Sequence, residues 1–343
     1  MSSTWKKRLA ATVSRSKAGN NDTPSASITR APNSLAFVED NPFVDDDASE
    51  WDPIITEDVV IHFKYDVANP PQRPDQLDVP ADTGPVGSGD SQWTRFICIS
   101  DTHCNTFDLP QGDFLLHSGD LTHTGRAKQV QGTMKWLKSQ PHPHKIIIAG
   151  NHDLTLDRDF YLEHGSRWHR QQTEDVEEIK KFVEPQGDTT FHYLEYENMT
   201  ITEGGATWKV YGSPGSPWFG GWAFNYEQGE APELVSRIPD DTDILLTHGP
   251  PSGILDETTQ GQEWDVASSG RKYTRGAVVK YWDEEDATGT PVTGDLGQRR
   301  FTVFVNAATY PTYKHPRDTA KGQKDIITQP SLSIYGANNF IDH

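Results

Sequence analysis

Between Phe96 and Asp153 the chain repeats one local pattern three times: a short apolar run, rich in β-branched residues, that stops at side chains able to bind a metal ion. The runs read Phe96-Ile-Cys-Ile-Ser-Asp-Thr-His103, Asp113-Phe-Leu-Leu-His-Ser-Gly-Asp120 and Lys145-Ile-Ile-Ile-Ala-Gly-Asn-His-Asp153. Each is too brief for a stable helix and has the continuous apolarity of a buried strand. The pattern therefore predicts that Asp101, His103, Asp120, Asn151 and His152 are delivered to one edge of one sheet. A fourth run of the same kind, Asp243-Ile-Leu-Leu-Thr-His248, adds His248 ahead of Gly-Pro-Pro.

Around these runs the order of elements is strand, helix, strand, which favours an α/β architecture. Ala127 to Ser139 places Val130, Met134 and Leu137 at helical spacing with Trp136 beside them, and Pro141 stops the helix. Residues 159 to 184 are expected to be mostly helical, with Val176, Ile179, Phe182 and Val183 on one face. Phe191 to Leu194, Met199 to Ile201 and Trp208 to Tyr211 are close-spaced short strands, expected to form a second sheet. Ala277 to Trp282 and Phe301 to Asn306 read as a hairpin. The segment His142-Pro-His-Lys is expected to be a solvated loop rather than a metal tract. The loop from Gly212 to Trp222 has two readings: an irregular surface loop anchored by Trp218, or a rim that contacts substrate.

Composition limits how much of the chain joins this core. Of 343 residues only 34% are hydrophobic, the mean hydropathy is -0.70, and there are 28 glycines and 23 prolines, which suggests a globular part with disordered or loop-rich additions. Residues 1–55 have no period and pass from a basic Ser/Thr-rich half to the acidic run Asp45-Asp-Asp-Ala-Ser-Glu50, so they are expected to be a disordered tail; a transit peptide is the alternative for the basic half. Residues 56–92 are expected to hold a peripheral strand at Val59 to Phe63 and then a linker, with the folded domain at 93–343. A net charge of -19 argues against nucleic acid or an anionic membrane as partner. A phosphorylated substrate remains compatible where cations locally reverse the field. The two cysteines, Cys98 and Cys104, sit too close along one strand exit to be paired, which predicts free thiols in a reducing, intracellular and cytoplasmic setting. No run of about 18 apolar residues predicts a membrane span. Asn198-Met-Thr matches a glycosylation sequon, and nothing else in the sequence points to secretion.

The strand-end residues suggest a specific chemistry. If the first strand continues through them, Asp101 and His103 point the same way and reach one ion. Asp120 has two oxygens and can bridge that ion to a second about 4 Å away, for which Asn151 and His248 are suitable ligands. Such a mixed nitrogen and oxygen set suits Mn, Fe, Zn or Ni. Two adjacent divalent metal ions lower the pKa of a shared water and hold phosphoryl oxygens for in-line attack, which is metal-assisted phosphoester hydrolysis. His152, between a ligand and Asp153, is placed to project over the substrate and to stabilise the transition state or protonate the leaving oxygen.

Taken together, Asp101-x-His103, Gly119-Asp120, Gly150-Asn151-His152-Asp153 and Thr247-His248-Gly249 resemble the first four motifs of the calcineurin-like metallophosphoesterases. The flanking words Ser-Gly-Asp-Leu-Thr, Gly-Asn-His-Asp and Thr-His-Gly-Pro-Pro look most like the metallophosphoesterase-domain (MPPED-type) branch related to class III cyclic-nucleotide phosphodiesterases. The resemblance runs from about Trp93 to Ala308. It implies a four-layer α/β/β/α sandwich of two mixed sheets flanked by helices, a dinuclear site, a bridging Asp120, a catalytic His152 and a small phosphorylated substrate such as a cyclic nucleotide. One departure stands out. The family's fifth motif, Gly-His-x-His, is absent after His248, and the segment near 262–276 is shorter than the pattern requires. The expectation is a small-molecule phosphodiesterase with weakened metal retention and low or no activity; the alternative is a catalytically impaired member that binds a nucleotide or a protein. A protein phosphatase is disfavoured, because the acidic chain offers no basic groove for phosphopeptides.

Overall fold

The three apolar runs at the centre of the sequence become neighbouring parallel strands, and the rest of the fold is arranged on their two faces. The structure, a computed structural model, describes residues 54–55, 59–62, 93–170, 172–251, 276–282, 300–307 and 332–337. The expected tail up to residue 53, the linker and the shortened segment up to residue 275 lie outside the described residues.

The elements in chain order are β1 (Ile54–Ile55), β2 (Val59–His62), β3 (Trp93–Ile99), β4 (Phe114–His117), α1 (Ala127–Lys138), β5 (His144–Ile147), α2 (Arg158–Trp168), α3 (Val176–Val183) and β6 (Phe191–Tyr193). They continue with β7 (Glu197–Glu203), β8 (Ala206–Ser213), β9 (Ser216–Pro217), β10 (Asn225–Tyr226), α4 (Ala231–Ser236), β11 (Ile244–Thr247), β12 (Gly276–Trp282), β13 (Arg300–Asn306) and β14 (Leu332–Ala337). The main sheet has seven strands in the order β1-β2-β14-β3-β4-β5-β6, with β3 through β6 parallel. A second sheet has the order β11-β8-β7, and β12 pairs with β13 as the expected hairpin.

Strand alternation sends the two faces of the main sheet to different partners. Phe96, Cys98, Phe114, Leu116, Ile146 and Ile148 meet Ile201, Trp208, Val210 and Leu246 of the second sheet in one buried core. Phe96 lies at its centre, stacked on Phe114 at 4.9 Å and edge-on to Trp208 at 5.0 Å between ring centroids. Ile97, Ile99, Leu115 and Ile147 face the other way, under Val130, Met134 and Leu137 of α1 and Ile179 and Val183 of α3. Burying a side chain of this size stabilises the fold by roughly 1.5–3 kcal/mol, so the two cores together fix the register of the site-bearing strands. The result is an α/β fold with two sheets face to face and helices outside. No helix among the described residues is long and apolar enough to cross a membrane.

Four expectations change. Phe191–Tyr193 is not in the second sheet: β6 extends the main sheet beside β5, with Phe191 buried beneath the helices. Val59–His62, read as peripheral, pairs with β14 inside the main sheet, and Ile61 is fully buried. Ile54–Ile55, read as the end of a disordered tail, instead forms β1 and pairs with β2; the 159–184 stretch is mostly helical as expected, in two helices, α2 and α3, capped by Asp157, which accepts from the Phe160 N–H, and Asp175, which accepts from the Glu177 and Glu178 N–H groups. Finally, His142 is buried rather than solvated: it bonds the Pro110 carbonyl at 2.9 Å, and burial pushes its pKa down to about 4. Cys98 and Cys104 are both free thiols, as expected.

Candidate metal centre

The site is built from turns that the backbone could adopt only under constraint. Strand β3 ends at Ile99, and Asp101, His103 and Cys104 then have φ of 54°, 44° and 66°, while Asp120 has 53° directly after Gly119 at 100°. The expectation that the strand runs through Asp101 and His103 therefore fails. Their N–H groups turn instead to the next strand exit: Asp101 donates to the Gly119 carbonyl at 2.9 Å, His103 to Asp120 at 3.0 Å and Cys104 to Leu121 at 2.9 Å. Two left-handed turns are thus laced side by side, each non-glycine residue in that region costing of order 1 kcal/mol or more. Such conformations persist only where the surroundings impose them, and here they bring the candidate ligand side chains together.

Asp120 is the point of convergence. Its Oδ2 lies 3.6 Å from His103 Nε2 and 3.9 Å from His152 Nε2, and its Oδ1 lies 3.3 Å from His248 Nε2. One ligand atom from each of His103, Asp120 and His152 falls within 4.8 Å of the other two. Asn151 joins through its Oδ1, 3.0 Å from His248 Nε2. Asp101 shares the turn with His103, and its carboxylate is close enough to Asp120 to be repelled by it.

The other ring nitrogen of each imidazole is held by a backbone carbonyl: His103 Nδ1 by Thr122 at 3.1 Å, His152 Nδ1 by His123 at 2.8 Å and His248 Nδ1 by Ser118 at 2.9 Å. A carbonyl can only accept, so each Nδ1 carries the proton and each Nε2 is the atom turned toward Asp120. Carbonyl-oriented imidazoles around a carboxylate are what a divalent cation of borderline hardness requires, and the residues present fit one.

Charge inside the cluster is consistent with that fit. Burial by itself would raise the Asp120 carboxyl, but His248, His152 and His103, with the His152 N–H at 2.9 Å, hold it below the usual range. Burial and the nearby Asp120 charge raise Asp101. His248 is opposed by burial, yet the Asp120 and Asp101 carboxylates and the Ser118 carbonyl lift it above an ordinary histidine. Raised values at both Asp101 and His248 mark a local field that favours positive charge.

Two supports escaped sequence reasoning. Asp153, fully buried, accepts four bonds: from the Leu121 N–H at 3.1 Å, the Thr122 N–H at 2.9 Å, the Thr122 hydroxyl at 2.8 Å and the Gly150 N–H at 2.8 Å. It thereby clasps the Asp120 turn to the Asn151 turn. His117, at the end of β4, accepts from the Gly119 N–H at 3.3 Å and donates to Thr102 Oγ1 at 2.9 Å. Burial pushes it down to about 3, so it is a neutral link between the first two turns. A lone histidine closing the apolar run Phe-Leu-Leu was the only signal for it.

The 212–222 loop is anchored by a different aromatic residue than expected. Trp218 and Phe219 are 50% and 40% exposed, whereas Trp222 stacks on the His152 ring with centroids 4.1 Å apart. Near the loop's other end, Pro217 and Ser216 lie against Gly249, next to His248. The loop therefore borders the site on two sides.

The chain is similar to several known proteins. Human metallophosphoesterase domain-containing protein 1 is 39% identical over 174 residues, 48% of this chain and 51% of its own length. A protein of Emericella nidulans named probable rhamnogalacturonate lyase C is 40% identical over 163 residues, 47% of this chain and 14% of that protein. A UPF0046 protein of Caenorhabditis elegans is 34% identical over 191 residues, 50% of this chain and 46% of its own. The chain thus spans about half the length of the human and nematode relatives. A family model described as calcineurin-like phosphoesterase matches residues 94–285, which is more than half of the 343 residues and contains every candidate ligand, and the chain belongs to that family.

Proposed function

We propose that the chain hydrolyses small phosphodiesters with the help of two divalent ions, held by Asp101 and His103 on one side and by Asn151 and His248 on the other, with Asp120 shared. The observation that carries this reading is the division of the Asp120 carboxylate, whose Oδ2 faces His103 and whose Oδ1 faces His248. Bound divalent ions of this class supply Lewis acidity that makes water a nucleophile at neutral pH and charge that offsets the phosphoryl oxygens.

The chain's own residues do the rest. Asp120 and Asp101 concentrate cations at the strand ends, and the Asp153 clasp and the neutral His117 keep the turns in register. His152, with Nδ1–H fixed on the His123 carbonyl, presents Nε2; in the imidazolium form that atom gives its proton to the departing oxygen and leaves the ring neutral. With 24% of its side chain exposed it is the most accessible imidazole of the cluster, which suits contact with substrate; those of His103 and His248 are 3% and 7% exposed.

The test is turnover of bis(4-nitrophenyl) phosphate, 4-nitrophenyl phosphate and cyclic AMP with added Mn²⁺. The diesters should be hydrolysed faster than the monoester, and Asp120→Asn should abolish both activities. Equal rates for wild type and Asp120→Asn would refute the assignment. The sequence supports a second reading, a catalytically impaired binding module, through its missing Gly-His-x-His pair. Saturable binding of AMP without Mn²⁺-dependent turnover would favour it.

A further inference from the structure

We infer that Trp222 is a positioning residue, a flat support that fixes the plane of the His152 imidazole; this rests on the proton-donating role proposed for His152. His152 differs from the other imidazoles of the site in how it is held. His103 and His248 are sealed by burial, and His248 has partners at both ring nitrogens. The His152 side chain is a quarter exposed, its ring has one hydrogen bond, at Nδ1, and its Nε2 stands 3.9 Å from Asp120 Oδ2. One hydrogen bond fixes one atom and leaves the ring free to tilt about it. The indole of Trp222 removes that freedom, with centroids 4.1 Å apart and planes 29° from parallel, while the His103 ring meets His152 edge-on at 4.8 Å. With Nδ1 and the ring plane both fixed, the direction of Nε2 is determined.

The support is itself supported. Trp168, the last residue of α2, packs against the indole at 4.0 Å from Trp222, and the Arg167 guanidinium lies over Trp168 at 5.7 Å. The loop is tied down at Trp222 and just after it. The Trp222 N–H donates to Asn225 Oδ1 at 3.3 Å, and the Phe224 N–H donates to Asp157 Oδ2 at 2.8 Å, the same carboxylate that caps α2. The start of α2 therefore holds the loop, and its end backs the indole. None of these contacts reaches Asp120, so the support acts on the site through His152.

The experiment uses the full chain and two readouts. In nitrogen-15 NMR the ring N–H that is missing from His152→Gln identifies the Nδ1–H of His152. That resonance should persist in Trp222→Phe, which keeps a flat ring, and should vanish in Trp222→Ala. Turnover of bis(4-nitrophenyl) phosphate should fall about 30-fold in kcat in Trp222→Ala, with KM and the Mn²⁺ affinity within about 3-fold of wild type, and should recover in Trp222→Phe. The inference is overturned if the wild type shows no such resonance, if Trp222→Ala retains it, or if the kcat loss is matched by loss of Mn²⁺ binding. A wild type without turnover would refute the proposed function and leave the NMR comparison to decide this one.

Discussion

Replacing Gly150 with alanine is a clean perturbation of the site. Gly150 is not among the glycines with positive φ, so alanine meets no backbone penalty and only space is at issue. A Cβ built there lies 2.3 Å from the Asp120 backbone nitrogen, 2.4 Å from Asp120 Oδ1 and 2.6 Å from His248 Cε1. Ordinary contacts of these atoms are near 3.4 Å, so the three must retreat by about 1 Å, and one of them is backbone, which cannot rotate away. Overpacking of this kind costs about 1–3 kcal/mol. A 1 Å displacement of a reacting constellation costs about 100-fold in rate, or about 2.7 kcal/mol in the barrier. Gly150→Ala should therefore lower kcat/KM for bis(4-nitrophenyl) phosphate about 100-fold, weaken Mn²⁺ binding and reduce the unfolding free energy in urea by about 2 kcal/mol. A variant with wild-type stability and wild-type Mn²⁺ affinity would refute the close approach of the two turns.

The same geometry sets further expectations. Asp153→Ala leaves three backbone N–H groups without their acceptor, at about 1–3 kcal/mol for each that stays unsatisfied, and the burial that raises Asp153 to about 6 offsets part of this; urea unfolding should show a net loss of about 3 kcal/mol. His152→Ala should cut kcat at least 100-fold with Mn²⁺ affinity retained by calorimetry, whereas loss of Mn²⁺ binding would make His152 a ligand instead. His142, held at about 4 against an ordinary 6.5, takes up its proton more readily when the chain unfolds, so it lowers stability as pH falls through that window. Between pH 7 and pH 4 the wild type should lose about 3 kcal/mol more than His142→Gln, and equal losses in urea titrations would show that the ring is not buried neutral.

The strand-exit end of the fold was legible because buried parallel strands are written as continuous apolar runs, and each run has to end in a turn. Phe96 to Ile99, Phe114 to His117 and Lys145 to Ile148 left little choice of architecture, and the residues after them are the candidate ligands of the proposed function. The geometry of the turns was not legible. Asp101 and His103 are aimed by left-handed backbone and by bonds to Gly119 and Asp120, contacts made across strands that no local pattern encodes. Short strands were the other weak point. Phe191–Tyr193 has the same apolar signature whether it joins the main sheet or the second one, and burial under α1 and α3 decided it. Trp222 and Trp218 are alike in a Gly- and Pro-rich loop; only the fold places one on His152 and the other half in water.

Calorimetric titration of Mn²⁺ into the full chain beside Asp120→Asn, with phosphodiester turnover then measured at saturating ion, tests the metal centre most directly. Binding should require Asp120, with affinity weakened by the missing histidine pair, and turnover of bis(4-nitrophenyl) phosphate should appear only when the ion is supplied in excess. Tight binding that is indifferent to Asp120, or an ion-saturated wild type with no turnover, would contradict a metal-dependent phosphodiesterase built on that carboxylate.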